Sequence, residues 1–334
     1  MTVPMDVSGS QTEAAPEAVL EGVGGAKAIQ GRSLGQIAWM RLKRDKVAMA
    51  GACVVLFLIV VAIVGPFITK ALGFDPLTFH QDLIDQSTLA PKGAFGGMSA
   101  QHPFGLEPVN GRDIFGRIVA GAWVSLLIAF LATVVSVIIG TVLGVVAGYF
   151  GGWVDTLISR AMDVFLAFPL LVFAIALVGV VSQFESELSF KGDGLRIGLL
   201  IFVIGFFNWP YIGRIIRGQT LSLREREFVD AARSLGARPL YVVFRELLPN
   251  LIAPILVYST LLIPSNILFE AALSFLGVGI RPPTPTWGGM LSDAVRFYTM
   301  PHFALFPGLA IFITVLAFNL FGDGLRDAFD PRAR

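Results

Sequence analysis

Six long apolar runs constrain this chain more than any other feature. A helix needs about 20 apolar residues to cross a bilayer core. Runs of that order lie near residues 47–69, 118–149, 154–181, 197–216, 251–271 and 303–321. They predict an all-α integral membrane protein with six transmembrane helices. The charge content agrees: 15% of the 334 residues are Asp, Glu, Lys or Arg, against about 25% in an ordinary soluble domain. So few charges cannot cover a soluble chain of this size, whereas lipid can replace water around it.

The remaining segments give the organisation. Residues 1–31 carry no apolar core long enough for a cleavable signal and read as a mobile cytoplasmic tail. In 32–46, Leu34, Ile37, Ala38 and Leu42 fall at helical spacing beside Arg41, Lys43, Arg44 and Lys46. That pattern suits a helix lying on the inner membrane surface. The six-span domain then occupies 47–334. With the N-terminus inside, 17 of the 25 basic residues fall on the inner side, as the positive-inside rule requires. Both termini are therefore expected in the cytoplasm, and segment 70–117 outside. A net charge of +1 offers no basic field for nucleic acid. The lone Cys53 sits in an apolar run and excludes an internal disulfide.

One inner segment, at about 218–250, is too polar for lipid. Its core, 226–250, reads as a helix, a turn and a second helix. Phe228, Val229, Ala232 and Leu235 form an apolar edge. Gly236 suits a left-handed helix cap, Pro239 the first turn of the next helix, and Pro249 its end. Within the spans, Gly140, Gly144 and Gly148 are spaced for close helix packing. Pro169, Pro254 and Pro264 permit kinks.

Asp230-Ala231-Ala232, then Gly236, then Pro249 resemble the EAA loop of ABC-importer permeases, with Asp where that loop has Glu. Further runs resemble the dipeptide/oligopeptide/nickel subfamily. They are Asn110-Gly111-Arg112-Asp113 with Gly116-Arg117, Arg160-Ala161-Met162-Asp163, Phe168-Pro169, and Glu270 through Gly277. Pro285-Thr286-Trp287-Gly288 and Gly322 through Asp327 complete the set. Two places depart: Gly105-Leu106-Glu107-Pro108 replaces the usual Gly-Thr-Asp, and 184–194 looks inserted. The resemblance implies a type I ABC-importer (MetI-like) permease fold and a "C"-type subunit importing di- or oligopeptides. Nickel chelates and glutathione are the alternative cargoes. It implies a "B"-type permease, two ABC ATPases and an extracytoplasmic substrate-binding protein as partners, in a bacterial inner membrane. It implies ATPase coupling by Asp230, Ala231, Ala232, Arg233, Gly236, Arg238 and Pro239.

Ionisable residues inside spans are functional leads by default. Arg160 and Asp163, three apart, can pair with each other on one helix face. Glu270, at the outer end of span five, can pack the outer loop or attract a peptide amino group. With Pro169 and Pro264 these are the candidate gating or pathway residues. No Ser-His-Asp set or metal cluster stands out, and His80, His102 and His302 lack mutual ligand spacing. The chain has no G-x-x-x-x-G-K-[ST] loop, so ATP and Mg are expected on partner subunits and no cofactor here. An ion-driven secondary transporter would show inverted repeats and mid-membrane acids. Neither is evident, and a membrane hydrolase lacks its catalytic cluster.

Overall fold

The computed structural model describes residues 34–184 and 193–330; most of the apparently inserted stretch and the N-terminal tail lie outside them. Helix α1 (Leu34–Leu42) stops three residues before α2 (Lys46–Ala71), because Asp45 takes the N-cap position between them. Its carboxylate accepts from the Val47 and Ala48 amides at 2.9 and 3.1 Å, filling donors that a helix start leaves open. Ala38 and Leu42 of α1 pack on Ala48 and Ala328, and Arg41 donates to the Asp330 carbonyl at 2.7 Å. The two ends of the described chain therefore meet on one face.

The central seam joins α3 (Ile114–Phe150) to α6 (Gly194–Arg224). A Cβ on Gly140 would stand 2.7 Å from the Trp209 carbonyl oxygen, and one on Gly144 2.7 Å from that of Gly213. At Gly148 it would stand 2.7 Å from Cβ of Thr220. The four-residue glycine spacing is thus a row of backbone contacts. Ser136 Oγ adds a 2.8 Å bond to the Gly205 carbonyl. Contact positions rise together along both helices, so α3 and α6 run parallel.

That parallelism decides the number of spans. Two parallel membrane helices need one return crossing between them. The chain between them holds α4 (Gly152–Ala167) and α5 (Leu170–Phe184), bent by 81°. This bent pair is the third span, and with five straight spans the total is six. The span expected over 154–181, with a kink permitted at Pro169, goes further than a kink: it breaks into two helices at Phe168-Pro169. Pro169 has no N–H for the ladder and pushes the residue before it out of the helical region; Phe168 is extended at φ −74°, ψ 129°.

The fifth span also differs from expectation. Helix runs from Pro239 to Phe275 without interruption, as α8 (Pro239–Tyr241), a π-helical stretch Val242–Leu247 and α9 (Leu248–Phe275). Pro249 does not end it. The Leu248 amide reaches the Val243 carbonyl, five residues back, and this wide turn makes room for the ring of Pro249. The helix continues through Pro254 and Pro264 as well. Asn266, wholly buried, donates to Thr133 Oγ1 of α3 at 2.8 Å and accepts from Asn208 of α6 at 2.9 Å. This bond row ties three spans together where no water is at hand.

On the opposite face, α10 (Trp287–Val295) leads to the last span, α11 (Pro301–Phe329). Thr286 caps α10 by accepting from Gly289 at 3.1 Å, and Trp287, wholly buried, donates to the Ile118 carbonyl at 3.0 Å. The Gly144 contact gives a direct test. Gly144→Leu should destabilise the detergent-solubilised chain by about 1–3 kcal/mol, the usual range for overpacking. A Tm matching that of the unsubstituted chain would show that the seam is not close-packed.

Candidate functional site: the loop after span four

The loop begins where α6 leaves the membrane. Arg224 Nη1 donates to the Gly148 and Tyr149 carbonyls at 3.2 and 3.4 Å, satisfying the open end of α3. Helix α7 (Glu227–Ser234) follows. Val229 is fully buried and packs with Val145, Ile212, Ile216, Val242 and Leu251. The short loop helix is thereby seated on α3, α6 and the fifth span.

Its end is a closed turn. The Ala237 amide reaches the Ala232 carbonyl at 3.0 Å and the Gly236 amide that of Arg233 at 2.9 Å. Gly236 adopts φ +82°, a left-handed conformation that glycine takes without cost. Pro239 then opens the next helix.

The apolar edge expected over Phe228, Val229, Ala232 and Leu235 divides. Val229 and Ala232 turn to the core, while Phe228 and Leu235 face outward. Leu235 is 89% exposed, with Leu240 and Tyr241 also open. Together with Ala231, Ala232, Gly236, Arg238 and Glu246, Phe228, Leu235 and Tyr241 line a groove of about 600 Å³. Asp230 and Arg233, outside the groove lining, form an exposed pair at 3.7 Å; such pairs stabilise little, although Arg233 also lies over the Tyr149 ring at 5.4 Å.

The intramembrane candidates are dispersed. Asp163 lies 3.7 Å from Arg160, as the spacing suggests, but its nearer partner is Arg214 of α6. Beside them Asp155 of α4 takes two bonds from Arg217, one of them 2.7 Å from Nη2 to Oδ2. Together the two arginines of α6 hold α4 at two places, Asp155 in its first turn and Asp163 about two turns further on. Pro169 marks the span-three break and Pro264 lies buried within α9. Glu270 is wholly buried and accepts from Ser274 Oγ at 2.7 Å. The structure does not gather these residues into one site.

Sequence reasoning missed a second cluster, on the opposite face. Glu107, 2% exposed, pairs with Arg112 and lies 3.2 Å from Arg117 Nε. The segment that departs from the subfamily pattern thus supplies the counter-ion for the Arg112 and Arg117 that match it. An isolated carboxylate near two arginines was the available signal. Asp113 caps α3, accepting from the Gly116 amide at 2.7 Å, and also bonds His102 Nδ1 at 2.8 Å. The rings of His80 and His102, far apart in sequence, meet edge to face with centroids 4.8 Å apart. Among the described residues no group of three or more His, Cys, Asp or Glu side chains could hold a metal ion.

Residues 140–334 match the family described as binding-protein-dependent transport system inner membrane component. The chain belongs to this family of importer permeases. Residues 33–91 match the N-terminal membrane domain of oligopeptide transport permease C. Among similar proteins is the glutathione transport system permease protein GsiD of Escherichia coli O6:K15:H31 (strain 536 / UPEC). It is 41% identical over 297 residues, covering 89% of this chain and 90% of that one. GsiD of Shigella flexneri serotype 5b (strain 8401) is 43% identical over the same length. A solved inward-facing MetNI methionine ABC transporter aligns with 64% of this chain and 96% of its own at 19% identity, TM-score 0.49. As the sequence resemblance implied, the chain is an ABC-importer permease of the inner membrane.

The Gly236 turn can be tested in this permease. Valine resists the left-handed region, where even an unbranched residue costs about 1–2 kcal/mol. Gly236→Val should speed hydrogen–deuterium exchange across 230–240 while leaving 205–220 protected. Unchanged exchange across 230–240 would show that the turn does not depend on glycine.

Proposed function

We propose that this chain forms half of a translocation pathway for short peptides and passes ATPase motion to its spans through α7. The observation that carries this reading is the groove around Leu235, an apolar surface held outside the membrane. Such a surface calls for a protein partner. In the proposed assembly two ABC ATPases grip the loops of this subunit and of a second, "B"-type permease. ATP and Mg reside on those ATPases, and this chain catalyses nothing itself. Asp230, Arg233 and Arg238 contact the ATPase, while Ala231, Ala232, Gly236 and Pro239 shape the knob. Substrate arrives from an extracytoplasmic binding protein, and the permeases rock between outward- and inward-open states. Arg160, Asp163, Pro169, Pro264 and Glu270 are the residues proposed for gating or the pathway.

The loop face is assigned to the cytoplasm, because the basic residues concentrate there. Both chain ends are assigned to that same face, a reading supported by the α1–α11 contacts that bring them together and by the even number of spans. In a Cys53→Ala background, an impermeant maleimide applied to whole cells should label Ala100→Cys and spare Ser234→Cys. The reverse pattern would invert the assignment.

A short peptide is favoured as cargo because the permease relatives are glutathione transporters by name, and glutathione is a tripeptide. Proteoliposomes holding the whole complex and its binding protein should take up glutathione or di- to oligopeptides with ATP, and not nickel. Leu235→Asp and Asp230→Lys should each reduce uptake at least tenfold while the chain stays in the membrane. Nickel uptake alone would overturn the cargo, and normal coupling in both variants would overturn the role of the loop.

A further inference from the structure

Two links of unequal strength join α4 to α6. Near the turn from α3, Asp155 accepts twice from Arg217 and once from Ser159 Oγ, the last at 3.2 Å. The Asp155 side chain is 19% exposed and that of Arg217 33%. About two turns further along α4, Asp163 bonds Arg214, and here the side chains are 50% and 52% exposed. Asp163 has a second cation within reach. Arg160 lies 3.7 Å away on the same helix, with its side chain 77% exposed. Among the described residues Arg160 has no other ion-pair partner.

The rest of the α4–α6 seam can slide. Met162 Cε lies against Gly213, where a Cβ would stand 2.7 Å from it. Beyond it the Phe165 ring meets Phe206, Phe207 and Trp209 edge to face. Methionine adapts its shape readily, and apolar contact is non-directional. Side chains make this seam, whereas backbone makes the α3–α6 seam. The far end of α4 stops at the Phe168-Pro169 break, so α5 does not hold it in line. An exposed ion pair breaks at little cost, and Asp163 keeps a guanidinium beside it when Arg214 is lost.

We propose that Asp163 is a transferable link. It holds Arg214 in the conformation seen here and passes to Arg160 when α4 swings against α6, with the Asp155–Arg217 pair as the pivot. The proposal rests on the importer reading above and gives its rocking step a latch on the broken span. Arg214 stabilises the linked state. Arg160 travels with the carboxylate and stabilises the released state. Removing one arginine or the other therefore shifts the equilibrium in opposite directions. A purely structural cluster would loosen α4 in both variants.

The test uses the complete importer in nanodiscs with its binding protein, in a Cys53→Ala background. Spin labels on Val164→Cys of α4 and Tyr211→Cys of α6, both exposed positions, report the swing by dipolar electron spin resonance. Two distances are expected, with populations that exchange when ATP and vanadate are added. Arg160→Gln should raise the linked-to-released ratio about tenfold and slow uptake. Arg214→Gln should lower that ratio before ATP is added. Arg160→Lys, which keeps the charge, should match the unsubstituted complex. A shift in the same direction for both glutamine variants, or a lysine variant that behaves as glutamine, would overturn the proposal. So would a fixed distance in a complex that imports. If the unlabelled, unsubstituted complex imports nothing, the importer reading falls instead.

Discussion

The close approach of α3 and α6 governs the rest of the molecule. Lipid tails are as apolar as leucine, so span association gains little from hydrophobic burial and relies on packing and polar bonds. Gly140, Gly144 and Gly148 supply the first of these by letting backbone touch backbone. Asn266, Thr133 and Ser136 supply the second. Once α3 and α6 lie parallel, the chain between them must return, and the bent α4–α5 pair is the consequence. Arg217 and Arg214 of α6 then fix α4 through Asp155 in its first turn and Asp163 about two turns further on.

Polar groups are sorted by depth. The amide and hydroxyl side chains of Asn266, Thr133 and Ser136 occupy the interior, bonded to one another or to backbone without carrying charge. The arginine–aspartate pairs join α4 to the half of α6 nearer the loop. The Glu107 network stands at the other face, ahead of and at the start of α3. An unpaired ion in hydrocarbon would cost far more than these bonds return, so these ion pairs collect where water or a fixed counter-ion is near; Glu270, wholly buried in α9 and bonded by Ser274, is the exception.

The elements legible in the sequence were those written in local pattern. The apolar runs, the glycine ladder and the Gly236 turn depend on neighbours within a few residues, and they appear as read. Three features were not legible for related reasons. The break at Pro169 needs a return crossing that only the α3–α6 packing demands. The passage of helix through Pro249 depends on the π-helical stretch ahead of it, whose sequence Val242–Leu247 resembles any amphipathic helix. The partner of Asp163 is Arg214, 51 residues away, and no spacing rule reaches that far. Glu107 was noted as a departure from a pattern, yet only the fold shows that it holds two arginines.

The loop and the seam share one core, and this bears on how the subunit could move. Val229 of α7 packs in the same cluster as Ile212 and Ile216 of α6 and Val145 of α3. Arg224 joins the end of α6 to the end of α3. The helix after the turn runs unbroken from Pro239 into the fifth span. A displacement of α7 would therefore be delivered to three spans at once, through close-packed contacts that transmit strain and do not absorb it. The α4–α5 pair is attached differently, by ion pairs along α4 and a proline break ahead of α5. A push at the loop would carry the α3–α6–α9 group as a body, and the broken span is where a change in its angle to the rest can be taken up.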